Sequence, residues 1–436
     1  MVASTGIGAL EYDEYAAAIS KLLSSEEFAQ LDQIADNARS SKSRFPGGAW
    51  KLYTFYKGLC GECQRATDVS VEGNIEHLKH WVAARPKSIT ARVALAQNYL
   101  EYAWLARGDG YADMVDQPAW KEFERRLQLV KTTLDQAETL KAKCPQWFLI
   151  KQRAARAQGL DIQEISAILE KGSSFEPLYY YLYQEQAYAL EPRWYGEDGD
   201  SERYAAKVAD QIGGKQGAFI YFRIATTLHC TGCSASELAF SHMSWPRIQE
   251  GYAALEEMYG TSKSELNEFA HLSIRAEDRA VASRLFLEIG DNWDRDAWRD
   301  KHYFESSRGW AFAPSPEQIA LWRKASANAI EPGGAPYLDQ VGKELEAKNA
   351  AVVKGCTDQS KGKDYAFNIM LKMDKDGNGE KLPAYPASPF SDCVVAKIIT
   401  RAAEPPPHPD FLISLSFGTK SMTIHSQGAT LPESGR

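Results

Sequence analysis

The chain has 436 residues, of which 44% are hydrophobic and 25% charged, and this composition predicts a globular protein of two or three domains with a substantial core. Its formal net charge of -8 argues against a nucleic-acid-binding protein, because contacts with phosphates require clustered basic residues. No apolar run approaches the roughly 18 residues of a membrane-spanning helix, so we expect no direct membrane insertion.

Amphipathic helices separated by proline or glycine fill the first two thirds of the sequence. The first covers 12–37, a break follows at 45–48, and helical spacing resumes at 50–56. Further helices are predicted at 75–84, 92–106, 120–140, 148–158, 162–171 and 178–190. The run Tyr179–Tyr183 would face all sides of a helix, so we expect only part of it to be buried.

A helix pair between Leu266 and Ile289 has the residue spacing of a tetratricopeptide repeat. The residues that carry this spacing are Phe269, Ala270, Ala282 and Phe286. Such a pair cannot bury its apolar face alone, so neighbouring pairs must stack into a solenoid.

Residues 44–293 as a whole resemble a bacterial tetratricopeptide-like helical-repeat family of unknown function. The motifs that carry the resemblance are Arg44-Phe45-Pro46, Trp50-Lys51-Leu52-Tyr53, Ala83-Ala84-Arg85-Pro86, Ser88-Ile89-Thr90-Ala91-Arg92, Gly110-Tyr111-Ala112-Asp113, Pro192-Arg193-Trp194-Tyr195-Gly196 and Ile289-Gly290-Asp291-Asn292-Trp293. The resemblance implies an architecture and brings no reaction, cofactor or catalytic residue with it.

Five residues in glycine-rich turns are candidates for binding a partner. They combine planar cations with aromatic rings, which suits the capture of a peptide or a carboxylate. These residues are Arg107, Tyr111, Arg193, Trp194 and Tyr195. The alternative is structural: Arg193 would cap carbonyl groups at a helix end, and Trp194 would pack beneath a turn.

Two Cys-x-x-Cys units lie far apart in the sequence. The first consists of Cys60 and Cys63, and the second of Cys230 and Cys233. Together they could supply four thiolates to one zinc ion, although the predicted helices between them must then bring the pairs together. Local disulfides and free thiols are the alternatives. Haem attachment is excluded, because the histidine that must follow each unit is absent.

After Trp298 the pattern changes from helical to alternating. Proline-rich segments at 313–316 and 331–336 flank one short helix predicted at 317–329. Apolar residues alternate at 365–373 and at 411–417, which predicts strands, and helical spacing returns at 392–402. Residues 337–417 therefore read as a small α+β unit of helix, strand, turn, strand, helix and strand.

This C-terminal part resembles the TonB-like C-terminal domains of bacterial envelope proteins. The resemblance rests on the strand 367–373, the turn 374–379, Cys393 at the start of a helix and the proline-rich approach to the last strand. Cys356 and Cys393 could form a disulfide, which would imply an extracytoplasmic location. The turn matches the first half of a calcium-binding EF-hand loop, but Tyr385 replaces the final glutamate, so we expect a hairpin turn.

The predicted fold class is therefore mainly α. A tetratricopeptide-like α-solenoid covers 10–310, a linker with a short helix 311–336, a small α+β TonB-like domain 337–418, and a disordered tail 419–436. The location is cytoplasmic by default, and periplasmic if a signal peptide has been removed.

No catalytic constellation is visible. His77 and His80, for example, lack the glutamate of a zinc-protease motif. We predict a non-enzymatic scaffold or adaptor that binds a peptide or protein on its helical surface and needs no cofactor, with zinc possible at the cysteines. The alternatives are a metal-dependent or thiol enzyme that uses the paired cysteines, and a structural subunit of a larger assembly.

Overall fold

The computed structural model describes residues 7, 10–60, 68–108, 110, 112–228, 242–359, 366–418 and 421–424. These residues are mainly α-helical, with a small antiparallel sheet near the C terminus, which confirms the predicted fold class. The chain divides into two compact units, residues 1–262 and 263–436. Residues 263–310, which the sequence assigned to the helical-repeat domain, lie in the second unit.

Helices joined by short turns make up the first unit. They are α1 (Tyr12–Ser24), α2 (Phe28–Ser41), α3 (Lys51–Cys60), α4 (Asp68–Ala84), α5 (Ile89–Arg107), α6 (Gln117–Glu138), α7 (Pro145–Ala157), α8 (Ile162–Phe175), α9 (Tyr181–Ala189), α10 (Asp200–Ile212), α11 (Gly214–Leu228) and α12 (Trp245–Tyr259). From α3 onward they form consecutive hairpins. The first helices of these hairpins, α3, α5, α7, α9 and α11, contact one another in that order.

Local sequence signals determine where these helices begin. Ser88 caps α5, because its hydroxyl accepts a hydrogen bond from the Ala91 amide at 3.0 Å. Asp161 and Glu164 form a reciprocal capping box at the start of α8. Pro145 occupies the first turn of α7, where its missing N–H leaves no helical hydrogen bond unmade.

Buried amide side chains join the first helices of successive hairpins. Gln146 on α7 donates to Gln97 on α5 at 2.8 Å, and the Tyr179 hydroxyl donates to Gln146 at 2.5 Å. Because each partner is buried, these hydrogen bonds satisfy groups that water cannot reach. They therefore favour one alignment of α5, α7 and the turn before α9.

The tyrosine-rich run at the start of α9 is buried along its whole length, so the expectation of partial burial was wrong. All five residues of Tyr179–Tyr183 are less than 9% exposed. Two of them lie in the turn before α9, and helices α7, α8, α10 and α11 surround the rest. In α9 only Gln184 and Tyr188 are partly exposed, and the spacing of the helix's own residues cannot reveal so complete an enclosure.

The turn that contains the Arg44-Phe45-Pro46 motif is held in the core of the first unit. The Arg44 guanidinium lies 4.4 Å from the Trp50 ring centroid and donates to the Leu178 carbonyl at 3.1 Å. Gly48 has a φ of +80°, and a Cβ there would lie 2.7 Å from the Phe219 ring. Only glycine fits such a contact without a shift of its neighbours, so this motif has a structural role.

The second unit begins with helices and ends with the sheet. Its helices are α13 (Lys263–Arg275), α14 (Arg279–Ile289), α15 (Arg295–Trp298), α16 (Lys301–Ala311), α17 (Pro316–Ile330), α18 (Gly334–Gln359) and α19 (Pro389–Lys397). Its strands are β1 (Ala366–Met373), β2 (Gly379–Lys381), β3 (Phe411–Gly418) and β4 (Ser421–Ile424). The strand order is β2-β1-β3-β4, and every pairing is antiparallel.

Both faces of this sheet are covered. The alternating residues of β1 and β3 pack with α18 and α19 in the larger cluster. On the opposite face, Met370 and Leu412 pack with Trp322 of α17 and with Tyr385. The turn after β1 is a hairpin turn, in which the Asp374 carboxylate accepts from the Asn378 amide at 2.8 Å.

The prediction of a disordered tail from residue 419 was wrong for Ser421–Ile424. This segment forms β4 and pairs with β3, from Gly418–Ser421 to Leu415–Ile424. Met422 is buried in the same cluster as the sheet. The pairing also covers an edge of β3 that would otherwise present unpaired backbone groups. Residues 425–436 lie outside the described part of the chain.

A buried histidine makes the stability of the second unit depend on pH. His271 is 2% exposed, stacks on Trp298 at 4.8 Å and lies 3.0 Å from the Tyr303 hydroxyl. Burial lowers its pKa from 6.5 to about 4, and the positive charge of Arg275 acts in the same direction. The unfolded chain therefore binds a proton that the folded chain excludes when the pH lies between these two values.

We expect the second unit to lose up to about 3 kcal/mol of stability as the pH falls from about 6.5 to about 4. Urea unfolding at several pH values in this range gives the free energy of unfolding of the wild type and of His271→Phe. We expect this free energy to change less steeply with pH in the variant. Tyr303→Phe is the control, because it removes the hydrogen bond and keeps the imidazole. Equal slopes for wild type and His271→Phe would contradict the assignment.

Candidate binding site

A cavity of about 430 Å³ lies between the first helices of the hairpins in the first unit. Each of the helices α3, α5, α7, α9 and α11 contributes at least one side chain to its wall. The lining residues are Tyr53, Leu100, Glu101, Trp104, Arg153, Arg156, Gln184, Glu185, Tyr188 and Thr227. Because one helix from each of five hairpins is needed, the cavity is a product of the stacking.

One carboxylate holds two arginines in this cavity. Glu185 Oε2 lies 3.1 Å from Arg153 Nε, and Glu185 Oε1 lies 2.8 Å from Arg156 Nε. The Glu185 and Arg156 side chains are 6% and 9% exposed, whereas Arg153 is 28% exposed. Both guanidinium groups use Nε for Glu185, so their terminal Nη groups take no part in these two ion pairs, although the Arg153 guanidinium also hydrogen-bonds to Tyr53. Such groups suit a planar oxyanion.

A second carboxyl group contributes to the charge balance of the cavity. Burial raises the pKa of Glu101, and the negative charge of Glu185 adds to this effect, while Arg153 opposes it. Glu101 therefore takes up a proton more readily than an ordinary glutamate does. Protonation of Glu101 would leave two arginines against one carboxylate, which favours an anionic ligand.

Aromatic rings and arginines continue from the cavity to its rim. The Arg156 guanidinium lies 4.7 Å from the Tyr188 ring and 4.5 Å from the Trp194 ring. Trp194 lies 6.3 Å from Trp104, which also lines the cavity. The Arg193 guanidinium also lies over the Tyr188 ring, at 4.6 Å. Stacked cations and rings of this kind hold their neighbours in fixed orientations.

The structure brings most of the candidates from the sequence to this group. Trp194 lies against Arg156, and the Tyr195 hydroxyl donates to the Arg156 carbonyl at 3.4 Å. Arg107 lies 5.4 Å from the Trp104 ring and donates to the carbonyls of the turn that follows α5. Arg193 forms an ion pair with Glu191 at 2.6 Å. Tyr111 lies outside the described residues.

The structural alternative from the sequence therefore applies to a different arginine. Arg107 is the residue that binds carbonyl groups beyond a helix end, through Gly108 at 3.1 Å and Gly110 at 3.0 Å. Arg193 instead pairs with the buried carboxylate of Glu191. Both arginines contact a ring that lines the cavity: Arg193 contacts that of Tyr188, and Arg107 contacts that of Trp104.

The cysteines divide between the two units. Cys60 is disulfide-bonded, and a sulfur in a disulfide offers no thiolate to a metal. Cys63, Cys230 and Cys233 lie outside the described residues. In the second unit, Cys356 and Cys393 form a disulfide, with their Cα atoms 5.7 Å apart.

The sequence did not reveal the charged centre of the cavity, which consists of Glu101, Arg153, Arg156 and Glu185. Its members lie on three separate helices, so no short motif contains them. One signal was available: Glu101 and Glu185 are the single acidic residues of two helices whose other residues are mostly apolar or aromatic. Arg153 and Arg156, three apart on α7, share one side of that helix. A charge inside an apolar helix requires a partner or a ligand.

The comparisons with known proteins give a partial match. Residues 15–149 match the model of a family described as Domain of unknown function (DUF4034). The match covers most of α1, all of α2 to α6 and the first residues of α7, and thus Tyr53, Leu100, Glu101 and Trp104 of the cavity wall. Comparisons with the curated proteins and with the solved structures found no match. No described helix is long and apolar enough to cross a membrane.

Proposed function

We propose that the protein is a non-enzymatic scaffold or adaptor that binds a peptide or protein segment in the cavity of the first unit. The observation that carries this proposal is the pair of arginines around Glu185, set among aromatic rings in a space of about 430 Å³. A carboxylate of the partner would meet the arginines, and its neighbouring side chains would pack on Trp104 and Tyr188.

The chemistry of the wall supports a binding role over a catalytic one. Its basic groups are guanidiniums, which remain protonated and cannot act as general bases at neutral pH. Glu101 is a carboxyl group with a raised pKa, but the lining residues include no cysteine, histidine or serine that it could activate. The thiol-enzyme alternative needs free thiolates, and Cys60 is disulfide-bonded.

We also propose two finer family relationships. Consecutive helix hairpins with their first helices in contact support a tetratricopeptide-like arrangement for the first unit. A helix followed by an antiparallel sheet supports a TonB-like arrangement for residues 337–418. Neither relationship is needed for the proposed binding.

The binding proposal can be tested with a displayed library of random peptides that is selected on the purified full chain. We expect the selected peptides to share an acidic side chain or a free C-terminal carboxylate. Calorimetry with one selected peptide should show about tenfold weaker binding by Arg153→Gln, because a charge-assisted hydrogen bond is lost. The affinity of Arg153→Lys should lie between those of the wild type and Arg153→Gln, since lysine keeps the charge and lacks the planar guanidinium.

Lys151→Met provides a matched control on the same helix. Lys151 is two residues before Arg153 on α7, so it lies on another side of the helix, where it lines a separate cavity of about 270 Å³. This variant also removes one positive charge, but we expect it to bind the peptide as the wild type does. The proposal fails if Arg153→Gln and Lys151→Met have the same effect, or if the selected peptides carry no common acidic group.

A further inference from the structure

Two histidines and one glutamate lie together on the surface of the first unit. His77 and His80 are three residues apart on α4 and therefore share one side of the helix. Their Nδ1 atoms lie 3.0 and 2.7 Å from the same oxygen, Oε1 of Glu26. One nitrogen or oxygen from each of the three side chains lies within 4.8 Å of the others.

The fold fixes the position of the glutamate relative to α4. Glu26 lies in the turn between α1 and α2, where its amide donates to the Leu23 carbonyl at 3.0 Å. Two residues further on, Phe28 stacks on the ring of Trp81 at 5.9 Å. Trp81 is fully buried and directly follows His80. The turn and the histidines are thus held by a packed aromatic pair, which presents the three ligands together before any ion binds.

We propose that Glu26, His77 and His80 form a binding site for a divalent transition-metal ion, and that Zn²⁺ is the ion it takes. Two imidazole nitrogens and one carboxylate oxygen are ligands that zinc accepts. Side-chain exposures of 40%, 36% and 61% for the three residues leave room for water in the remaining position. This site is independent of the cavity on α3 to α11.

The contacts of the two histidines to Glu26 need only a small adjustment for binding. With metal–ligand distances near 2.0 Å, neighbouring ligands of a tetrahedral ion lie about 3.3 Å apart. The observed contacts to Glu26 are a few tenths of an ångström shorter than this distance, and partly exposed side chains can move apart by that amount. Each imidazole would then carry its proton on Nε2 and offer the Nδ1 lone pair to the ion. The ion would connect the α1–α2 turn to α4.

Calorimetric titration of Zn²⁺ into the untagged, metal-free, oxidised full chain tests this site. We expect one equivalent to bind, and His80→Asn to weaken this binding about tenfold or more, since one of three ligands is lost. Glu26→Gln should have a similar effect. His242→Asn is the matched control: His242 pairs with one carboxylate, that of Asp198 at 2.9 Å, and this variant should bind as the wild type does.

A Co²⁺ titration separates this site from the cysteines. Nitrogen and oxygen ligands give only weak visible absorption, whereas thiolates add an intense near-ultraviolet band. The proposal predicts the visible bands without the near-ultraviolet one, and their loss in His80→Asn. It would be overturned by the absence of Zn²⁺ binding, by equal binding to wild type and His80→Asn, or by a thiolate band. Circular dichroism should show that each variant is folded.

Discussion

Replacing Glu185 by glutamine is expected to destabilise the first unit by about 3 to 5 kcal/mol. The substitution keeps the size of the side chain and removes the charge that both Arg153 and Arg156 share. Two guanidinium groups would then lie close together with Glu101 as the remaining carboxyl group of the cavity, and that of Arg156 is 9% exposed. Losing one partner of a buried ion pair costs more than the pair contributes, because the remaining charge stays desolvated.

Hydrogen exchange of the full chain measures this effect locally, since two compact units need not unfold together. Amides of α7 and α9 should exchange faster in Glu185→Gln, whereas amides of the second unit should not change. Glu138→Gln is the control: Glu138 pairs with Lys151 at 3.1 Å and is 54% exposed. We expect it to change stability by less than about 0.5 kcal/mol. Equal exchange in the two variants would argue against a buried ionic centre.

The fold class could be predicted because it depends on the period of the apolar residues. The short helix expected at 317–329 is α17, Pro316–Ile330, and its start follows from the capping box of Ser315 and Gln318. The alternating residues at 411–417 likewise lie in β3. Each of these elements is specified by neighbouring residues. The small strand β4 alternates polar and apolar residues over only four positions, which is too short a pattern to predict a strand, and its position follows from pairing with β3.

The candidate site was predictable only at its rim. Trp194 and Arg193 were visible because aromatic and basic residues are adjacent in one turn. Glu185 and Arg153 meet across two hairpins, 32 residues apart in sequence, so their pairing depends on how the hairpins stack. No residue spacing within a single helix encodes that contact. The same reason explains why His77 and His80 seemed to lack a glutamate: Glu26 reaches them from a different hairpin.

The disulfide of the second unit is expected to contribute roughly 3 to 4 kcal/mol to stability in the chain-entropy model. Cys356 on α18 and Cys393 on α19 are 37 residues apart, and the loop they close contains β1 and β2. Crosslinking such a loop lowers the entropy of the unfolded chain. Cys356→Ala combined with Cys393→Ala should therefore lower the melting temperature of the second unit by roughly 10 °C.

A reductant distinguishes the loss of the crosslink from the loss of packing around the two sulfurs. Cys356 is buried in the core under the sheet, so its replacement by alanine also removes contacts. Reductant should destabilise the second unit of the wild type and have no further effect there in the double variant. Hydrogen exchange in β1 and β3 gives this readout without interference from Cys60, which is bonded in the first unit. If reductant leaves exchange in β1 and β3 of the wild type unchanged, the crosslink does not stabilise the sheet, and the contacts of α18 and α19 hold it without the bridge.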